Sequence, residues 1–304
     1  MATAAESIRR GRSIGRENVK LFVFGKTGQV ARELAQHCPS DVEARFLGRQ
    51  DVDLSSPQSC ADAILACDAD AVINTAAWTA VDQAEESENA ATIINGEAPG
   101  AIAHACAQKG IPFLHLSTDY VFDGTGTEPF TPDHPAAPIS AYGRSKLIGE
   151  EAIRISGAQH LILRTSWVVS AHGANFVKSM LRLGQERDTL NVVADQIGGP
   201  TAAADIARAL LIAARAMVTG HPGGTHHFAG APDTSWADFA RAIMHSADLP
   251  CQIQDIPSSD YPTLACRPLN SRLDCTSFER EFGVSRPDWR LSLDDILTEL
   301  GART

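Results

Sequence analysis

The chain has 304 residues, long enough to bury a sizeable core as one large α/β domain or two packed lobes, and its 44% hydrophobic and 21% charged content is ordinary for a globular protein. A net charge of −11 excludes nucleic acid or an anionic membrane as the main partner, but not an anionic small molecule, which answers to local charge alone. Seven cysteines, an odd number with no Cys-x-x-Cys, indicate neither a disulfide framework nor a zinc cluster, so a reducing cytoplasm is the expected compartment.

Residues 1–18, "MATAAESIRRGRSIGREN", lack an apolar core and read as a disordered extension rather than a secretory signal. "VKLFVF" (Val19 to Phe24) is a short apolar run before glycine, the pattern of a buried parallel strand. A helical stretch follows from Gly28 to about Cys38, then a second strand at "ARFLG" (Ala44 to Gly48). Ser56 and Pro57 mark a helix start, with a hydroxyl at the N-cap and proline at the first helical position. A third strand is expected over Asp70 to Ala77, a long helix over about Glu85 to Gln108 ending at Gly110, and a fourth strand over Ile111 to Asp119. After a Gly/Pro/Thr-rich loop to Ile139 comes the helix "AYGRSKLIGEE" (Ala141 to Glu151), and then the strand His160 to Ser166. Gln196 to Thr201 reads as a turn, Ala202 to Val218 as a helix, and Gly224 to Gly230 as a strand returning to the sheet. No stretch approaches a membrane span; "ALLIAARAMV" is short and interrupted by Arg215.

Strand–helix alternation of this kind predicts an α/β fold, a doubly wound parallel sheet with its ligand beyond the carboxyl ends of the strands. Residues 19–166, joined by 202–230, are assigned to that domain, and residues 167–201 with 231–304 to a smaller C-terminal lobe that binds substrate.

The residues that carry chemistry sit where that sheet would place a ligand. Gly25 and Gly28 follow the first strand and open the first helix, where bare backbone and a helix N-terminus suit a pyrophosphate, and Ala31 is the third small position. The second strand ends near Arg49 rather than at an acid, which favours the 2′-phosphate of NADP over the 2′-hydroxyl of NAD; a solvated arginine is the other reading. Asp53 and Leu54 are candidates to border the adenine, and Ala76 and Ala77 leave room for a cofactor unless they merely pack on a helix. "STDYVFDG" (Ser117 to Gly124) puts hydroxyls and an acid at a strand end. Tyr142 and Lys146 lie four apart on one helix face. With Thr118 they form a coherent set for carbonyl reduction: Thr118 holds the oxygen, Tyr142 donates a proton to the developing alkoxide, and the Lys146 ammonium lowers the phenol's pKa. Isolated histidines such as His226 and His227 read as ordinary strand or surface residues.

The segments "GKTGQVA", "NTAAWTAVDQAE", "STDYVFDG", "AYGRSKLIGEE", "LRTSWV", "NFVKSMLRL", "DQIGGPT" and "RPLNSRLD" occur in that order. On them the chain resembles the dTDP-4-dehydrorhamnose reductases of the extended short-chain dehydrogenase/reductase superfamily, from Val19 to about Leu300. The resemblance implies a Rossmann-type fold and hydride transfer from NADPH, or NADH, to the C4 ketone of dTDP-4-dehydro-β-L-rhamnose, giving dTDP-L-rhamnose. It places the catalytic Thr, Tyr and Lys on Thr118, Tyr142 and Lys146, and the cofactor on Gly25, Thr27, Gly28, Gln29, Val30, Arg49, Asp53, Leu54, Ala76, Ala77, Tyr142 and Lys146. Sugar contacts fall on Thr79, Val81, Thr118, Asp119 and Trp167, with Arg267 and Arg272 as counter-charges for the diphosphate. Some members hold a divalent metal through three glutamates at a dimer interface. Here Glu33 and Glu299 could supply two and the third position is Ala204, followed by Asp205, so two carboxylates remain, or three if Asp205 substitutes with shifted geometry; neither a catalytic metal nor a metal-bridged dimer is expected. The partner is then a nucleotide sugar, with no nucleic acid and no membrane, and the protein a monomer or homodimer. The competing readings are a non-catalytic regulator of the methionine adenosyltransferase type and another nucleotide-sugar epimerase or dehydratase on the same fold.

Overall fold

In the computed structural model, which describes residues 18–303, the first apolar run becomes strand β1 (Val19–Phe24), buried from Leu21 onward. The extension assigned to residues 1–18 lies, but for Asn18, outside the described residues. Helix α1 (Gln29–His37) begins at Gly28, and β2 (Val42–Leu47) follows. Helix α2 (Pro57–Ala66) starts at the expected proline. Ser56 makes no side-chain cap, because its hydroxyl bonds Ser59 Oγ at 2.8 Å instead.

Strand β3 (Ala71–Asn74) stops three residues short of Ala77: Asn74 turns its amide oxygen onto the Ala76 N–H at 3.0 Å and takes the chain off the ladder. The long helix expected over Glu85 to Gln108 is broken into α3 (Val81–Glu86), α4 (Glu88–Thr92), a wide π-type turn at Ile93–Glu97, and α5 (Ala98–Lys109). The wide turn aims Asn95 at the Trp78 backbone, which it grips at 2.8 Å and 3.0 Å, and at Ser145 Oγ at 3.0 Å. Gly110 closes α5 with φ of 65°, a left-handed cap.

Strand β4 (Phe113–Thr118) leads into α6 (Ala141–Ile155), whose N-cap Ser140 accepts from Gly143 N–H at 3.2 Å. Next come β5 (His160–Thr165), β6 (Val168–Val169), α7 (Phe176–Glu186) and β7 (Thr189–Val193). The stretch expected as a turn at 196–201 carries two short strands, β8 (Ile197–Gly198) and β9 (Thr201–Ala202), because β8 is paired on both sides, with Thr234–Ser235 and with Asn270–Ser271, and β9 pairs with β6. Helix α8 (Ala203–Val218), β10 (Gly223–His227), β11 (Thr234–Ser235), α9 (Trp236–Ser246), β12 (Gln252–Ile256), β13 (Asn270–Ser271), α10 (Thr276–Phe282) and α11 (Trp289–Glu299) complete the chain.

Six strands form one parallel sheet in the order β2-β1-β3-β4-β5-β10. The chain winds outward from β1 to β2, then crosses back to β3, so the carboxyl ends of β1 and β3 diverge and open a crevice. Apolar strand residues meet α1, α8 and α10 on one face and α2 and α5 on the other. A separate core joins β6, β7, α7, α9 and α11. Strand β10 does return to the sheet, as its pattern suggested; both its histidines are buried, and burial pushes His227 down to about 3. Among the described residues no helix is long and apolar enough to cross a membrane.

Candidate active site

The crevice is a cleft of about 880 Å³ at the carboxyl ends of the parallel strands. Its lining includes every cofactor residue expected from the sequence and, on the sugar side, Thr79, Val81, Thr118, Asp119 and Trp167. At the β1–α1 turn Gly25 has φ of 113°, and a Cβ there would lie 2.4 Å from Thr75 Oγ1, so only glycine fits. The N-cap Gly28 offers no side chain to the first turn of α1, which leaves those N–H groups facing the cleft for an anion. This cradle fits a pyrophosphate. Arg49 lines the adjoining wall with its side chain 73% exposed and only a 3.8 Å ion pair to Asp53, so it is free to turn to a phosphate. Gln29 is less free than its position suggested. Its amide oxygen accepts from Ser170 Oγ at 3.0 Å and Asn175 Nδ2 at 2.9 Å, tying α1 to the loop before α7.

Thr118 ends β4, where its hydroxyl donates to Asp119 Oδ1 at 3.1 Å and accepts from Tyr120 N–H at 3.2 Å. Tyr142, in the first turn of α6, is brought against it, and Tyr120 packs edge-on to the Tyr142 ring at 5.5 Å. Burial raises the Tyr142 phenol well above its usual range, and the hydrogen bond to Thr118 pulls the other way. The Lys146 Nζ is buried one turn on, donating to Leu116 O at 2.7 Å and lying 3.0 Å from His115 Nε2. Burial brings Lys146 down to about 8, with the nearby Glu150 opposing the fall.

Asp119 is buried, with Oδ2 lacking a hydrogen-bond partner among the described residues. Burial pushes it up to about 6, against hydrogen bonds from Ser271 and Thr118. A carboxyl raised in the fold costs stability once ionised, so the deficit is absent at low pH and grows as pH rises from the unfolded value through about 6. Asp119→Asn is therefore expected to be more stable than wild type at pH 8 by about 1–3 kcal/mol, a gain that fades as pH falls from 6 to 4. Thermal melts across that range check it, and a gain that persists at pH 4 would contradict the charge argument.

Trp167 forms the far wall in a left-handed conformation, φ 50°, unusual for a bulky residue. It is held there by stacking on Trp236, centroids 3.6 Å apart and planes 12° off parallel, with Gly198 leaving space for the indole. Arg267 and Arg272 do not line the cleft. Asp82 captures Arg267 at 2.9 Å beside Tyr120, and Arg272 turns onto Asn270 Oδ1 at 3.0 Å. Tyr120, by contrast, is a lining residue for which the sequence suggested no role.

Glu33 and Glu299 lie close together, and the third group beside them is His172, not Asp205. Its Nε2 lies 3.6 Å from Glu33 and 3.7 Å from Glu299. Asp205 is spent on Arg208 at 2.9 Å and Ser292 at 2.7 Å. Two carboxylates and an imidazole suit a borderline divalent ion better than magnesium, which prefers oxygen alone. Glu33, Asp205 and Glu299 line a smaller cavity of about 230 Å³ that shares no residue with the cleft. No local spacing could have flagged His172, which lies in a loop far along the chain.

The family model of the RmlD substrate binding domain matches residues 19–302. The dTDP-4-dehydrorhamnose reductase of Sinorhizobium fredii is 44% identical over 281 residues, covering 90% of this chain and 95% of its own length. That of Burkholderia thailandensis is 42% identical over 298 residues, covering 92% and 100%. Among solved structures, a dTDP-4-dehydrorhamnose reductase from Clostridium acetobutylicum superposes with a TM-score of 0.87 at 33% identity, over 93% of this chain and 100% of that one. One from Bacillus anthracis, solved in complex with NADP, gives 0.87 at 29% identity over 93% and 99%.

Proposed function

We infer, from the premise that this chain belongs to the dTDP-4-dehydrorhamnose reductase family, that it reduces the C4 ketone of dTDP-4-dehydro-β-L-rhamnose to dTDP-L-rhamnose with NADPH. The observation that carries this reading is the convergence of Thr118, Tyr142 and Lys146 in the same cleft as the Gly25–Gly28 anion cradle. When bound, NADPH supplies the hydride. The chain supplies the rest. The N–H groups opening α1 hold the pyrophosphate, Ala76 and Ala77 give the cofactor room, and Asp53 and Leu54 border its adenine.

Tyr142 is the proton donor. Its burial keeps the phenol neutral at physiological pH, so it has a proton to give as negative charge develops on the C4 oxygen. The Thr118 hydroxyl is oriented by its bonds to Asp119 and the Tyr120 N–H, and it positions that oxygen. Lys146 acts as the cation beside the phenolate once it carries a proton. Thr79, Val81, Asp119 and the Trp167 indole shape the sugar pocket. The setting is cytoplasmic, and the protein works as a monomer or homodimer.

The direct test supplies dTDP-4-dehydrorhamnose and follows loss of nicotinamide absorbance; a folded protein that consumes no NADPH would overturn the assignment. Wild type is expected to favour NADPH over NADH. Arg49→Ala should erase roughly tenfold of that preference, read as the ratio of kcat/KM values, because one exposed charge–phosphate contact contributes about 1–2 kcal/mol. An unchanged ratio would remove Arg49 from the cofactor site.

A further inference from the structure

Behind Lys146 on α6 lies a buried polar pair that the reaction does not use directly: Asn74 at the end of β3 and His115 within β4. Asn74 Oδ1 accepts the Ala76 N–H at 3.0 Å, which settles the orientation of the amide, so it is the amide's NH₂ that faces His115 Nδ1 at 3.2 Å. An NH₂ can only donate. Nδ1 must therefore be the accepting nitrogen, and a neutral imidazole then carries its hydrogen on Nε2, aimed at Lys146 Nζ 3.0 Å away. That contact is a hydrogen bond only if Nζ presents a lone pair. The remaining amine hydrogens serve Leu116 O at 2.7 Å.

We propose that Asn74 and His115 are positioning residues that stabilise the neutral-amine form of Lys146 relative to its ammonium, and so set the alkaline limit above which it cannot serve as the cation beside Tyr142. The alternative arrangement, an ammonium donating to Nε2, would put hydrogen on Nδ1 and oppose it to the Asn74 NH₂, donor against donor in a dry site. A doubly protonated imidazole is excluded by the same burial, which carries His115 well below its usual range.

The charges around Lys146 do not reverse this. Glu150, on its own helix, is the one acid that favours the ammonium, but Arg164 from β5 and Arg154 occupy that carboxylate at 2.7 Å and 2.6 Å. Glu85 of α3 and Glu88 of α4 are engaged with Arg144 on the outer side of α6. Asp119, beyond β4, faces Thr118 and Tyr142. Burial bringing Lys146 down to about 8 agrees with a neutral form that is favoured relative to an exposed lysine and takes over above that value. The sign follows: Lys146 serves as a cation below that value and fails above it.

The inference rests on the reductase reading for the role of Lys146, but the protonation states are measured without substrate, so their failure would leave the enzymatic assignment standing. The chain has five lysines, few enough for each Nζ to be followed in protein labelled with ¹³C,¹⁵N-lysine, alongside ¹⁵N-histidine for the tautomer. The expected result at pH 8.5 is His115 protonated on Nε2 alone. Asn74→Asp should reverse the chain, because a carboxylate accepts from Nδ1–H and frees Nε2 to accept from an ammonium. In that variant Lys146 should titrate higher by about one pH unit or more, roughly a tenfold change in its neutral fraction at fixed pH, with the alkaline limb of kcat/KM moving with it. A wild-type His115 protonated on Nδ1, or a folded Asn74→Asp with the Lys146 midpoint unmoved, would overturn the proposal. If that variant does not fold, the wild-type tautomer decides by itself.

Discussion

Replacing Tyr142 with phenylalanine is expected to lower kcat/KM by about 10²–10⁴-fold while leaving NADPH affinity within about a factor of two. The substitution removes one oxygen. The ring keeps its edge-on contact with Tyr120, and the N-cap of α6 at Ser140 is untouched, so the backbone of the site stays in place. What goes is the phenol that hydrogen-bonds the Thr118 hydroxyl, the group that burial keeps protonated and ready to neutralise an alkoxide. The loss should fall mainly on kcat, because a proton given only as the oxygen gains charge is worth more in the transition state than in the ground state. Steady-state kinetics with a separate NADPH titration checks this. A variant that retains full turnover would transfer the donor role elsewhere, with Tyr120 the nearest phenol.

The second large effect is on stability. Arg164→Met is expected to cost about 3–5 kcal/mol, because it strands the buried Glu150 carboxylate. In the native protein Arg164 grips both Glu150 oxygens, at 2.9 Å and 2.7 Å, and lies over the Phe122 ring at 4.9 Å. Burial alone would raise Glu150, but the Arg164 bonds and charge, with Ser117 and Arg154, bring it below the ordinary carboxylate range. The ion pair's contribution is thus present above the unfolded carboxylate value, about 4.3, and is lost as pH falls through the lower folded one. In the variant Glu150 keeps only Ser117 and the half-exposed Arg154, so its pKa rises. The deficit should be largest at neutral pH, on the order of 10 °C in Tm, and should shrink toward pH 4 as Glu150 takes a proton. Arg164→Met/Glu150→Gln, which removes both charges, should recover at least half of the loss. A single variant within about 1 kcal/mol of wild type at pH 7.5 would show that Arg154 suffices.

These two cases differ in how far the chain itself announces them. Tyr142 and Lys146 sit four apart on a helix and Thr118 at a strand end, so local periodicity and the sheet rule were enough to place them together. Arg164 and Glu150 carry no such sign. A charged residue inside the strand "HLILRTS" and another within "AYGRSKLIGEE" read as ordinary until β5 and α6 are packed against each other. The broken helix over Glu85 to Gln108 shows the same limit. Its two ends are helical in composition, Asn95-Gly96 and Pro99-Gly100 mark a weak point between them, and the form of the wide turn at Ile93–Glu97 is set by Asn95 gripping the Trp78 backbone and by Gly96 and Gly149 letting α6 come close. Arg267 and Arg272 show the opposite case: two guanidinium groups that the sequence leaves open contact Asp82 and Asn270 in the fold.

The sequence by itself determined the alternation that winds the parallel sheet, the glycine turn that only Gly25 can make, and the helical spacing of Tyr142 and Lys146, since each depends on neighbours within a few residues. Only the tertiary structure decided the protonation of the site. Asn74, His115 and Lys146 come from β3, β4 and α6, brought side by side by strand register and by helix packing on the sheet, and it is their burial away from water that turns three ordinary side chains into a directed line of hydrogen bonds. The same holds for Trp167 stacked on Trp236 and for His172 between two glutamates: contacts across the fold, governed by burial and approach, leave no trace in local spacing.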